Sequence, residues 1–164
     1  MAKTPKSLTK VKKEKSVDLS NQRIGIVTAQ WNEEITNELL KGCKKTLEQL
    51  GAKKKNIISV EVPGSFELPS GAKLFVENKK VDAVICIGCI IKGETPHFDF
   101  ISAAVSQGIM DLNIHYNIPF VFAVLTTNTL EQAKERCGGK HGHKGNEAAI
   151  TAANMIALRK KLSK

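Results

Sequence analysis

The stretch Lys92-Gly93-Glu94-Thr95-Pro96-His97-Phe98-Asp99 joins a histidine to a run of backbone amides suited to an anion. It follows Val84-Ile85-Cys86-Ile87-Gly88-Cys89-Ile90-Ile91, an apolar run rich in β-branched residues that reads as a strand buried on both faces. Thr95 is a good N-cap and Pro96 needs no N–H partner at a first helical position, so a helix is predicted to begin there. His97 then lies in a first turn at the carboxyl end of a parallel strand, where ligands bind in open α/β sheets. The amides of Gly93, Glu94 and Thr95 can meet an anion at the same place. The helix terminus disfavours imidazolium and so favours a neutral base, while a substrate phosphate pulls the other way. A first-turn histidine is often only solvated. Taken with the anion loop, it suggests an enzyme with a phosphorylated substrate.

Other candidate groups sit at the ends of neighbouring apolar runs. Gln30-Trp31-Asn32 holds the only tryptophan, in a connection, where it either covers the core or stacks on a ligand ring. In Pro63-Gly64-Ser65-Phe66-Glu67-Leu68-Pro69, Ser65 is a candidate helix cap, and Phe66 and Glu67 could line a polar ligand, with Glu67 accepting hydroxyls. Residues 135–147 hold four glycines with Arg136, Lys140 and Lys144, a flexible connection dense in anion ligands or a solvated turn. Cys137, His141 and His143 match no standard closed zinc site. Cys86 and Cys89 form a CxxC, but inside a strand, whereas redox pairs start helices; small buried cysteines are the better reading.

These groups need a scaffold that brings strand ends together. Strands are predicted over 23–30, 56–62, 83–91 and 119–126, and helices over 33–50, 67–78 and the stretch after residue 97. Short helices follow over 130–137 and 146–162. Ile101, Ala104, Val105, Gly108, Ile109 and Leu112 mark the apolar face of the helix after His97. Repeated βα units give an α/β fold with a parallel sheet and helices on both faces.

The 164 residues fit one domain, over 19–164, behind a disordered basic tail over 1–18. The net charge of +9 resides in the ends. Residues 1–18 carry +4 and residues 159–164 another +4, which leaves +1 for the 140 residues between. No basic stripe with interleaved aromatics is present, which argues against a nucleic-acid reader. No stretch is long and apolar enough to span a membrane, and the expected location is the cytoplasm.

In combination these motifs, with Val124-Leu125-Thr126-Thr127 and Glu135-Arg136, resemble the 6,7-dimethyl-8-ribityllumazine synthase family over residues 23–158. The resemblance implies a flavodoxin-like three-layer α/β/α sandwich with a four-stranded, mainly parallel sheet. It implies that Trp31 stacks on a pyrimidine with Asn32 beside it, and that Ser65, Phe66 and Glu67 hold a ribityl chain. Ile90 and Ile91 would read the heterocycle with their backbone. Gly93, Glu94 and Thr95 would be the phosphate loop and His97 the acid/base. Phe122 and Lys144 would contact the pyrimidine substrate and Arg136 the phosphate, all three reaching in from a neighbouring subunit, and Glu147 would orient His97. Ser65 and Cys89 stand where alanine is common, Lys92 where arginine is, and His143 where asparagine is frequent.

The implied reaction condenses 5-amino-6-(ribitylamino)uracil with 3,4-dihydroxy-2-butanone 4-phosphate, with loss of phosphate and water, in riboflavin biosynthesis. It has no redox step, so neither flavin nor metal is required. The resemblance further implies cyclic pentamers, and the short turn over 137–145 resembles members that form 60-subunit icosahedral shells, with riboflavin synthase as a possible partner. The competing readings are an archaeal-type riboflavin synthase and a non-catalytic lumazine- or flavin-binding protein. Neither needs a phosphate site.

Overall fold

The computed structural model describes residues 17–163. The expected basic tail lies almost wholly outside the described residues, and Leu19 is already fully buried. Strands β1 (Ile24–Ala29), β2 (Ile57–Val62), β3 (Ala83–Ile91) and β4 (Phe120–Thr127) form one sheet in the order β2-β1-β3-β4. Every pairing in it is parallel. Helices α1 (Glu33–Gln49) and α5 (Lys144–Leu162) cover one face; α2 (Leu68–Asn78) and α3 (His97–His115) cover the other. This is the anticipated three-layer sandwich.

Strand alternation feeds two separate cores. Ile24, Ile26, Ile85 and Ile87 pack toward α1 and α5, whereas Val27, Val84, Cys86 and Val124 pack toward α2 and α3. Cys86 and Cys89, three positions apart on β3, therefore enter opposite cores. Burial pushes both thiols up to about 12, and both cysteines are free, so they serve as small apolar filling.

Several local expectations need correction. Thr95 is not the helix cap: α3 starts at His97 with Pro96 in the N-cap position, and the Pro96 carbonyl accepts from the amides of Asp99 and Phe100. Ser65 does not cap α2 either, because a single 3-10 turn, Ser65–Glu67, precedes that helix. On α3 the expected Val105, Ile109 and Leu112 are buried, but Ala104 is exposed. Helix α4 (Leu130–Lys134) stops three residues before Cys137.

The connection expected to be flexible is an antiparallel hairpin of β5 (Cys137–Gly139) and β6 (Gly142–His143). Gly138 and Gly142 provide the positive φ angles, 123° and 82°, that its reversal requires. Nor is α5 short, at 19 residues beginning with Lys144. Its small residues Ala148, Ala149, Ala152 and Ala153 let it lie close to α1. At Gly145 a Cβ would overlap the Leu39 carbonyl oxygen, so the crossing depends on glycine there.

Candidate functional site

The carboxyl ends of β1, β2 and β3 form a rim. After β1, the Gln30 amide donates to the Val62 carbonyl at 2.9 Å and the Trp31 amide to the Pro63 carbonyl at 3.2 Å, extending the β1–β2 ladder into the turn. Trp31 is thus fixed by its backbone while 73% of the residue stays exposed. Phe66 is likewise 56% exposed, on the turn after β2. Two large aromatics held open at adjacent strand ends are costly to leave in water and well suited to a flat ring.

Glu67 is anchored through one carboxylate oxygen, which accepts the Gly64 amide at 3.0 Å. Ser65 turns inward. Its residue is 6% exposed, its hydroxyl has no hydrogen-bond partner among the described residues, and it lies where a Gly88 side chain would begin. The hydroxyl therefore faces the sheet, so any ligand contact from Ser65 must come from its backbone.

Ile90 and Ile91 end β3 beside Thr126 and Thr127 of β4. Beyond them the Lys92 amide donates to the Thr127 carbonyl at 2.9 Å. The chain then opens into an exposed loop of Gly93, Glu94 and Thr95, with nothing among the described residues within 4 Å of the Cβ position of Gly93. His97, also exposed, is the first residue of α3. One rim so combines aromatic surface, a carboxylate, open backbone and an imidazole.

The remaining candidates lie elsewhere. Phe122, Arg136, Lys144 and Glu147 line a groove of about 580 Å³ along the outer edge of β4. Arg136 is held by Nη1 donating to the Gln132 carbonyl at 2.8 Å, and its own carbonyl accepts the Lys144 amide at 2.8 Å. Lys144 Nζ pairs with Glu147 Oε2 at 2.8 Å. Phe122 is opposite Cys86, five positions before Ile91. At ~3.3 Å per residue it lies roughly 16 Å below the rim of its own chain. Glu147 belongs to α5 and His97 to α3, on opposite faces of the sheet.

The three groups weighed as zinc ligands are engaged separately. His141 Nε2 is 3.3 Å from Glu135 Oε2, Cys137 Sγ donates to the Lys134 carbonyl at 3.4 Å, and the His143 ring packs over Gly42. Two features had no clear signal in the sequence. Asn32 Nδ2 donates to the Cys89 carbonyl at 2.8 Å, and Asn113 brackets Phe120 by two 2.8 Å bonds, covering the start of the β4 edge.

Residues 21–160 match the family model described as 6,7-dimethyl-8-ribityllumazine synthase. The chain belongs to this family. A lumazine synthase of Parabacteroides distasonis is 52% identical over 139 residues, covering 85% of this chain and 87% of the relative. That of Cytophaga hutchinsonii is 56% identical over 140 residues, with 85% and 88% covered. The more distant enzyme of Campylobacter jejuni subsp. jejuni is 46% identical over 143 residues, with 87% and 93% covered. In this lumazine synthase family member, the rim and the groove are well separated within a single chain.

Proposed function

We propose that this chain condenses 5-amino-6-(ribitylamino)uracil with 3,4-dihydroxy-2-butanone 4-phosphate, at a site built between two copies of itself. Family membership supports the reaction. The observation that carries the residue assignment is the rim, where Trp31, Phe66, Glu67, the open 93–95 loop and His97 face solvent together. Trp31 stacks on the pyrimidine, Phe66 and Glu67 hold the ribityl chain, and the Ile90 and Ile91 backbone reads the ring edge. The amides of Gly93, Glu94 and Thr95 bind the phosphate from one side.

The primary amine attacks the ketone and an imine forms with loss of water. Phosphate then departs, and the ribitylamino nitrogen attacks the remaining carbonyl carbon, closing the ring with loss of a second water to give the lumazine. His97 moves protons during imine formation and elimination. Arg136 and the loop amides take up the charge on the departing phosphate. Holding both substrates in one crevice supplies much of the remaining acceleration.

A second subunit delivers Phe122, Arg136 and Lys144, because their own chain holds Phe122 well below its rim. Glu147 reaches His97 across the same boundary. Two surfaces favour self-association. Among the described residues the β4 edge beyond Phe120 has no partner strand in the sheet, which leaves backbone groups to be covered. Along α3, Phe100, Ala103, Gln107, Met110 and Ile114 are exposed at alternating three- and four-residue spacing, the pattern of a helix seam. A closed pentameric ring satisfies such a head-to-tail contact. The compact β5–β6 hairpin fits further assembly into a 60-subunit shell, within which riboflavin synthase is a candidate partner. Free cysteines fit a reducing cytoplasm.

Mixing the two substrates with the protein tests the reaction. Lumazine fluorescence should rise in step with phosphate release. Binding without turnover would leave the non-catalytic reading standing. Sedimentation tests the assembly: pentamers alone would remove the shell, and a fully active monomer would remove the shared site.

A further inference from the structure

We propose that Asn32 is a positioning residue that sets both Trp31 and the Cys89–Ile90 peptide, rather than a residue that contacts substrate. The inference rests on the reading of Trp31 as the stacking platform. Asn32 adopts φ 60° and ψ 47°, and it is the only non-glycine residue with positive φ among those described. Asparagine tolerates this left-handed conformation better than most residues. The kink lets its carbonyl accept the amides of Ile35 at 2.9 Å and Thr36 at 3.1 Å, which starts α1 immediately after the turn.

The side chain does something separate. Pairing between β1 and β3 ends at Thr28 and Ile87, yet β3 continues to Ile91. The Cys89 carbonyl lies beyond that last rung, and the Asn32 side-chain amide donates to it at 2.8 Å. One side chain thereby extends the ladder past the end of β1. Trp31 is secured toward β2 by its backbone bond to Pro63 and toward β3 through Asn32. The same bond orients the peptide that leads into Ile90. That bond fixes the orientation of the Asn32 amide, so the role proposed for it runs through its neighbours.

Asn32→Gly in the assembled protein keeps the permitted backbone and removes only the tie. Asn32→Asp keeps the size and left-handed tolerance but replaces the donor with an acceptor facing a carbonyl. We expect either change to raise KM for the aminouracil roughly three- to tenfold, the range one hydrogen bond commands. The KM of the ketone phosphate and kcat should stay within twofold. Trp31 is the only tryptophan, so its fluorescence anisotropy reports the platform directly and should fall in both variants. Trp31→Ala is the control for the underlying reading. If it leaves the aminouracil KM unchanged, the stacking assignment fails. If it raises that KM while Asn32→Gly changes neither KM nor anisotropy, the positioning role alone fails. A lower melting temperature with both substrate KM values shifted together would mark a merely structural contact and also overturn the proposal.

Discussion

The rim at the ends of β1, β2 and β3 and the groove along β4 are held in different ways. Rim residues occupy turns whose backbones are tied to adjacent strands, as at Gln30, Trp31 and Lys92. Groove residues belong to an edge strand, the turn between α4 and β5, and the start of α5, with Arg136 and Lys144 engaged by their own chain. The rim offers an imidazole, open amides and ring surfaces. The groove offers two cations and Phe122. Under the proposed shared site the two would complement each other, since the sheet of a single chain keeps Phe122 away from its own rim.

The largest expected effect strikes the rim. His97→Ala should lower kcat by about 10²-fold, the low end for a lost general acid/base, with a smaller rise in KM. Stopped-flow turnover measures it, and a kcat within twofold of wild type would remove His97 as the principal acid/base. On the groove side, Arg136→Ala should raise KM for the ketone phosphate by roughly tenfold or more, given the strength of charge-assisted hydrogen bonds, and leave the aminouracil KM nearly unchanged.

Mixing these two variants addresses the comparison directly. If chains assemble head to tail as proposed, about a quarter of the interfaces in hybrids of chains carrying one change each regain an intact rim facing an intact groove. At ketone phosphate well below its KM, where both parents are slow, activity should rise toward that fraction after co-refolding. Failure to recover, in rings shown to be mixed, would place both halves in one chain.

Smaller effects concern stability. Ser65→Ala removes a buried hydroxyl without a partner and should raise the thermal midpoint by about 3 °C, as expected for a gain of ~1 kcal/mol in a domain of this size. An unchanged or lowered midpoint would mean that the hydroxyl is satisfied in the assembled protein. Behind the groove, burial holds His143 below its ordinary value of 6.5 against the opposing pull of Glu38. Below that ordinary value the unfolded chain binds more protons than the folded one, so this contribution is present above pH ~6.5 and is lost as pH falls toward the depressed folded value. Urea midpoints of His143→Asn should therefore decline less than wild type between about pH 7 and 5.

The fold was largely legible because long apolar runs such as residues 83–91 admit few alternatives to buried parallel strands. Local terminations were less legible. Thr95 and Ser65 are residue types that favour caps, yet Pro96 and Glu67 occupy the N-cap positions of α3 and α2, because capping depends on where the chain turns rather than on residue type alone. The β5–β6 hairpin escaped notice because a glycine-rich segment reads equally well as a loose loop.

The rim aromatics, Glu67 and His97 were legible from their places at the ends of apolar runs, and Arg136 and Lys144 from the cation- and glycine-rich stretch that holds them, whereas Phe122 and Glu147 entered only through family resemblance. Residue types and spacing by themselves determined the α/β layering, the strand that ends in the anion loop, and the placement of His97 at the start of its helix. Tertiary structure alone decided that the Ser65 hydroxyl faces Gly88, that the Asn32 amide extends the ladder to Cys89, and that Phe122 lies well below the rim. These are matters of register and side-chain direction between segments distant in sequence. Periodicity within one segment carries no information about its alignment with the next.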